Sequence, residues 1–478
     1  MESIQLYKYT AGGTPTPQPV TTTAYYTRVF LNETVEEDID ITGPSIIPSG
    51  SVLDMGEDYV LTNDLGVTRL VIEDGGQLYS VLGVDATAQK NITGRENGGG
   101  WNFITSPIFA VEMDPATAGM TTGNYDLYRF NPSVEPAANG NTYEWENYKS
   151  HGSDFTVEGG HGYLYANLND VVLQFSGVVN NDETVVSYEY NEESASEWKE
   201  WHLVGNPYMY EAYVDRDYYV IGIDPETDKS IIVASEGGTI APCEGIMIQG
   251  TDGSVSFTKD EPTPTDEGRL QMTVAQQVVT RDGVSTGSTT IDNAIVSFNE
   301  GSRLGKFYFG ENDANIYIPQ NGKEYAIVST EAQGEMPVNF RAANNGTYTL
   351  SINPEGVEMN YLHLIDNMTG ANIDLLQTPT YTFNAKTTDY ESRFRLVFVA
   401  GASTGSAADE TFAFFANGEL IVSNEGEATL QVVDMTGRIL SSQSLNGNGS
   451  VKVNAPVGVY VLRLINGNEV KTQKIVVR

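Results

Sequence analysis

A chain of 478 residues with 64 acidic and 26 basic side chains, a formal charge of −38, is long enough for three or four domains with cores of their own. So negative a field repels phosphate backbones and anionic bilayers and weighs against nucleic acid or membrane surfaces as partners; it attracts Ca²⁺ or basic protein surfaces, and it also serves solubility. The lone Cys243 excludes an internal disulfide framework, and without a run of 18 apolar residues no transmembrane segment is expected.

The first element, in residues 1–24, is a strand in which Ile4, Leu6 and Lys8 alternate with Gln5, Tyr7 and Tyr9, followed by a Thr/Pro linker through Pro15, Pro17 and Pro19. Met1 to Thr10 has neither a basic nor an apolar leader region. The expectation is the end of a preceding domain, with the chain a C-terminal part of a longer precursor. Residues 25–95 contain Val71-Ile72-Glu73-Asp74-Gly75-Gly76-Gln77-Leu78, a strand, a Gly-Gly turn and a new apolar start. Such corners suit coils of a β-solenoid or a small sheet cap, with too few rungs for a full solenoid.

Residues 96–260 carry a duplication. Trp101 to Pro107 matches Trp201 to Pro207 as Trp-x-apolar-apolar-x-small/amide-Pro, and each is followed by an Asp-apolar-Tyr strand, at Asp126-Leu127-Tyr128 and Asp217-Tyr218-Tyr219. Each half closes with a Gly-led strand, from Gly162 or Gly245, and a further β run. Two similar β units packed face to face are expected, because one sheet cannot bury its apolar face alone. After the spacer Glu261 to Thr265, residues 266–400 show strands at sandwich spacing: 306–309, 316–318, 324–328, 348–352, 362–365 and 394–399. No amphipathic helix exceeds about two turns. The fold class is therefore all-β: a multidomain chain of β-sandwiches with a duplicated β domain.

From Thr411 to Arg478 three elements follow in order: an Asp-x-x-Gly-Arg turn at Asp434, Gly437 and Arg438, a Pro-x-Gly-x-Tyr-x-x-Arg strand at Pro456, Gly458, Tyr460 and Arg463, and a terminal strand from Lys474 to Val477. This ordered set resembles the type A C-terminal sorting domain of the type IX secretion system. The resemblance implies a small immunoglobulin-like sandwich over 411–478 that guides a folded passenger through the outer membrane. It further implies as partners the secretion translocon and its sortase-like surface protease, with a cut in the linker 400–410 and joining to a surface glycolipid. The implied localisation is extracellular or cell-surface, outer-membrane attached after removal of the C-terminal domain. Glu73 to Leu78, Trp201 to Tyr208 and Tyr361 to Leu376 also resemble a structural or adhesive module that often precedes this domain, covering most of 45–400 and bringing no catalytic residues.

Chemistry is sparse. Gly-x-Ser-x-Gly occurs at Gly283 to Gly287 and Gly401 to Gly405, but a nucleophile elbow needs a strand before, a helix after, and downstream His and acid partners. His151, His161, His202 and His363 lack zinc spacing, and His161 and His202 read as hydrogen-bonded structural residues. Cys243 reads as a half-buried small hydrophobe. Asp224, Glu226 and Asp228 alternate in a loop and are the candidate Ca²⁺ ligands, with a solvated turn as the alternative; no other cofactor is expected. Trp145, Trp198, Tyr208 and Tyr210 are the candidate sugar-stacking platform, against a core role for each. The function expected is a non-catalytic, exported surface protein with adhesive or spacer modules that bind host protein or glycan. The alternative is a carbohydrate-binding accessory region of a larger secreted hydrolase with its catalytic domain upstream of Met1.

Overall fold

The computed structural model describes residues 7–8, 16–17, 27–95, 99–108, 112–134, 144–151, 155–179, 185–224, 227, 229–261, 268–279, 284–309, 313–400, 412–416, 418–422, 424, 426–467 and 469–477. Among them the helices are a single turn at Tyr148–His151 and a 3₁₀ turn at Val67–Arg69, so the chain is all-β. In the first 24 residues the described pieces, Tyr7–Lys8 and Thr16–Pro17, pair antiparallel; the rest of that expected strand and linker, the spacer 262–265 and the linker 401–410 lie outside the described residues.

Short strands separated by tight corners stack here as parallel rungs. Arg28–Val29, Ser45–Ile47, Leu70–Ile72 and Val84–Ile92 form one wall, with Val29, Ile46, Val71 and Thr87 in register. Glu33–Thr34, Val52–Asp54 and Gln77–Tyr79 form a second, and Ile39–Asp40 with Leu61–Thr62 a third. Ile47, Leu53, Leu70 and Ile72 are fully buried inside this short coil. Its last strand, Val84–Ile92, also pairs antiparallel with Val171–Val179 of the next unit, so coil and first repeat share one core.

The duplication is visible strand by strand. One sheet runs in the order Asn102–Ile104, Tyr163–Asn167, Tyr125–Phe130, Trp145–Asn147, and the other in the matching order Trp201–Gly205, Gly245–Gln249, Tyr218–Ile223, Ser230–Ser235. Register agrees as well: Phe103 opposes Leu164 as Leu203 opposes Met247, and Tyr128 opposes Leu164 as Tyr219 opposes Met247. The two units cross, with Asn102–Ile104 close to Gly245–Gln249 and Tyr218–Ile223 and, in the matching way, Tyr125–Phe130 close to Trp201–Gly205. Paired bridges, Ile104 with Glu244 and His161 with Val204, join them about a local pseudo-twofold axis. Gly162 and Gly245 permit this approach, since a Cβ on Gly162 would lie 2.8 Å from the Val204 carbonyl oxygen and one on Gly245 3.3 Å from that of Ile104. Each sheet keeps a second apolar face. Phe103, Leu164, Trp201, Leu203 and Met247 supply that face, and Ile295, Leu304, Phe307 and Ile327 of the following region cover it.

Residues 268–400 form one hydrogen-bonded path of strands that curls until both ends bury side chains in a common core, with Leu270 and Leu350 beside Leu362 and Leu396. Five of the six expected segments lie in strands. The sixth, 306–309, does not. The Lys306 N–H still donates to the Glu324 carbonyl at 2.9 Å, but the Phe307 N–H donates to the Tyr219 hydroxyl at 3.1 Å, and Lys306 Nζ reaches Asp292 at 2.6 Å and the Asn293 carbonyl at 3.2 Å. Leaving the ladder after Lys306, the segment places Phe307 in the shared core.

The tail is a separate two-layer unit. Ala413–Ala416, Glu419–Val422 and Gly449–Lys452 make one sheet; Ile439–Asn446, Glu427–Asp434, Gly458–Asn466 and Glu469–Val477 make the other. Leu420, Leu430, Leu462 and Leu464 fill the space between them. Ile421 and Phe414 pack outward onto Ile365, Val397 and Val399 of the preceding region.

Candidate functional site

A concave recess opens where three regions meet. The paired strands that carry Phe130 and Trp145, the turn before Trp201 and the irregular segment 306–309 converge, so that Phe130, Glu144, Trp145, Trp198, Phe307, Tyr308 and Phe309 enclose about 210 Å³. Aromatic edges brace the wall: Phe130 meets Trp145 at 4.9 Å, Trp198 meets Phe307 at 5.3 Å and Trp145 meets Phe309 at 6.3 Å between ring centroids, all T-shaped. Tyr219 fixes the floor, its hydroxyl donating to the Gly305 carbonyl at 3.0 Å while accepting from Phe307. The recess holds one buried carboxylate, Glu144, 9% exposed, whose Oε1 has no hydrogen-bond partner among the described residues.

Two of the four expected platform residues, Trp145 and Trp198, lie in this recess; Tyr208 and Tyr210 do not. Tyr208 is fully buried in the second repeat, stacked on Tyr210 at 4.7 Å, and Tyr210 in turn meets Tyr79 of the coil at 5.3 Å. The buried Tyr208 ring has no free face for a ligand, and the half-buried Tyr210 spends its ring contacts on Tyr208 and Tyr79, which joins the second repeat to the coil. Sequence reasoning missed Glu144, Phe130 and the run Phe307-Tyr308-Phe309. The signal was three consecutive aromatics, too apolar for a strand with one solvated face.

Of the three acids proposed as Ca²⁺ ligands, Asp224 lies among the described residues. Asp224 Oδ1 accepts from the Thr227 N–H at 2.9 Å and the Thr227 hydroxyl at 2.8 Å, and Oδ2 accepts from the Thr290 N–H at 2.9 Å. Those bonds make it a loop anchor; Glu226 and Asp228 lie outside the described residues. His202 stacks on Tyr188 at 3.9 Å and pairs with the Gly250 carbonyl at 3.1 Å, and burial lowers its pKa to about 4, which keeps it neutral near pH 7. His161 is half-exposed beside Glu158 at 3.6 Å, and His363 bonds Asn372 at 2.8 Å; the side chain of His151 lies outside the described residues. Cys243 is fully buried, more than the sequence implies, at φ 62 where the first repeat has Gly160 at φ 80. Burial pushes its thiol up to about 12, which disfavours the thiolate a nucleophile needs. Ser285 lies within the strand Ser285–Ser297, with no helix after it; the second Gly-x-Ser-x-Gly lies outside the described residues.

One half-buried acid pair couples the second repeat to the next region. Asp217 accepts the Arg303 N–H at 2.7 Å, and burial together with nearby Glu236 pushes its carboxyl up to about 7. Since the native pKa is raised, the stabilisation is fully present below the ordinary carboxyl pKa, is lost as pH rises through about 7, and stays lost above that. Asp217→Asn is therefore expected to gain stability over the parent at pH 8, on the order of 3 kcal/mol, and to lose that advantage at pH 4. Urea midpoints of both proteins at the two pH values check it; equal differences at both would contradict the assignment.

In the tail, the expected turn closes on one carboxylate. Asp434 Oδ1 accepts from the Thr436 hydroxyl at 2.6 Å and from the Thr436 and Arg438 N–H groups at 3.0 Å, and Oδ2 accepts from Arg438 Nε at 3.0 Å. The Thr436 hydroxyl and these other donors hold the carboxyl at about 2. Gly437, at φ 87, supplies the left-handed step that lets the chain reverse. Tyr460 is buried and donates its hydroxyl to the Pro456 carbonyl at 2.7 Å, a tyrosine-corner arrangement that ties strand to loop. Gly458 lies in the same strand with Tyr460 ring atoms 3.4–3.6 Å from where its Cβ would stand, so a small residue suits the packing.

Residues 416–478 match the family described as the secretion system C-terminal sorting domain. The tail belongs to the type IX secretion sorting family. No curated protein matches the chain. Among solved structures, a biofilm-associated protein BSP domain is 10% identical and aligns over 81% of this chain and 98% of its own, at a TM-score of 0.14. The sorting domain marks the protein for export to the cell surface or extracellular space and for handling by the secretion machinery. No helix of the described residues is long and apolar enough to cross a membrane.

The sorting domain differs from the body it follows. Residues 411–478 hold six basic and five acidic side chains, so almost the whole acidic excess lies before them. On its four-stranded sheet Lys474 opposes Val461 and Arg463 opposes Gln431, while Leu462, Leu464 and Ile475 point into the core. Alternation thus splits the motif into packing residues, Tyr460 among them, and outward residues, Arg463 and the exposed Lys474.

Proposed function

We propose that this exported protein is a non-catalytic adhesin, whose body holds a binding surface at the cell exterior after sorting. The observation that carries the reading is the continuity of the cores. The coil shares its core with the first repeat, and Phe307 and Leu304 of the third region fill the face common to both repeats. Units interlocked in this way hold a surface at fixed geometry, as an adhesive or spacer module requires. In this reading the translocon and the sortase-like surface protease are its partners during export, the cut falls in 400–410, and host protein or glycan is its partner afterwards.

The expected result is that a strain lacking the gene adheres less to host cells or matrix protein than its parent, and that the intact gene restores adherence. Unchanged adherence with the protein verified at the surface would sink the adhesive role. A second reading, a carbohydrate-binding region serving an enzyme, draws on the convergence of Trp145 and Trp198 in one recess. It requires glycan binding that is lost in Trp145→Ala and Trp198→Ala.

A further inference from the structure

We propose that the aromatic recess binds a cation, the ammonium end of a lysine side chain or of a similar alkylammonium, with Glu144 as its counter-charge. The inference deepens the adhesive reading by naming the chemistry of a partner: a protein surface that offers lysine.

The buried carboxylate decides the class of ligand. Glu144 lines the recess, is 9% exposed, and keeps Oε1 without a hydrogen-bond partner among the described residues. A buried acceptor left unpaired is costly, and a charged one more so, so a donor entering the recess removes a penalty that the free protein carries. Its backbone is not free to carry the group away, because the Asn131 N–H donates to the Glu144 carbonyl at 2.7 Å and Phe130 pairs with Trp145 on the same ladder.

The remaining wall distinguishes a cation from a sugar. It is made of Phe130, Trp145, Trp198, Phe307, Tyr308 and Phe309. The faces of such rings attract cations, and the contact strengthens when water is excluded. A pyranose brings several hydroxyls, each needing a partner once buried. The carboxylate here supplies few, and the Tyr308 hydroxyl is already committed to Glu324. At about 210 Å³ the recess exceeds the roughly 150 Å³ that admits benzene, which leaves room for a four-carbon stem and its ammonium. The −38 charge of the chain raises the local concentration of cations around it.

The test is calorimetric titration of the full chain with Nα-acetyl-lysine methylamide, n-butylammonium, 1-butanol and methyl β-glucoside. Both ammonium probes are expected to bind, 1-butanol at least about tenfold more weakly, and the glucoside not at all. Glu144→Gln is expected to weaken the ammonium probes about tenfold while leaving 1-butanol unchanged, with melting and circular dichroism confirming its fold. Should that variant misfold, Trp198→Ala provides the second reading and weakens all probes that bind. Equal binding of butanol and butylammonium, loss-free binding in Glu144→Gln, binding of the glucoside alone, or no binding by any probe would each overturn the proposal. Its failure is separable from that of the adhesive reading. Adherence that survives in a Glu144→Gln strain without probe binding leaves the adhesin and removes the cation site; probe binding without any adherence effect of gene deletion does the reverse.

Discussion

Lys306→Ala is expected to destabilise the chain by about 3–5 kcal/mol, the largest effect of any single substitution considered. Lys306 and Asp292 form an ion pair at 2.6 Å with side chains 1% and 7% exposed. The cost of taking both charges out of water is offset only while each keeps its partner. Asp292 is further held by the Ile316 N–H at 2.8 Å, so truncating the lysine leaves a carboxylate that cannot move toward water. Lys306 also positions Phe307 and Tyr308, so the damage should reach the recess. Two measurements check this: the urea midpoint, and the tryptophan emission of Trp145 and Trp198. The double variant Lys306→Met with Asp292→Leu is expected to recover most of the loss, because an apolar pair of similar volume needs no counter-charge. Recovery by the double variant alone would identify the pair; a Lys306→Ala protein as stable as its parent would refute the burial argument.

Deletion of residues 416–478 is expected to abolish display altogether, with the protein absent from both surface and medium and held inside the cell envelope. The sorting domain has its own core of Leu420, Leu430, Leu462 and Leu464, and its removal leaves the body's strands intact. It does uncover Ile365, Val397 and Val399, because Ile421, which packs on them beside Phe414, is lost. A truncated chain could therefore fail through aggregation instead of mis-sorting. Asp434→Ala separates the two causes. It removes the acceptor of the turn hydrogen bonds while keeping the covering residues. Fractionation with an antibody against residues 101–260 reads both variants. Surface display equal to that of the parent in the deletion strain would show that export does not depend on this domain.

Local pattern carried much of this protein. The duplicated Trp-to-Pro runs are equivalent in the structure because alternation and strand-ending prolines are local properties; Tyr128 and Tyr219 even occupy matching registers. The sorting motif was legible for the same reason, since its turn is made by residues within five positions of Asp434. The recess was legible only in part. Trp145 and Trp198 could be named as aromatics, but their meeting depends on Phe307, 162 residues after Trp145 in sequence. The Lys306 to Phe309 segment has the composition of a strand, but after Lys306, which pairs with the Glu324 carbonyl, the Phe307 N–H meets the Tyr219 hydroxyl instead of a neighbouring strand.

The amino-acid sequence by itself determined the β class, the repeat and the export signal, because each rests on spacing within a few residues of the chain. Tertiary structure alone decided how the repeats meet, which tyrosines pack and which tryptophans line a cavity, and that Glu144 Oε1 is buried without a hydrogen-bond partner among the described residues. Those outcomes depend on which faces remain uncovered once every strand is paired, and no local pattern holds that information.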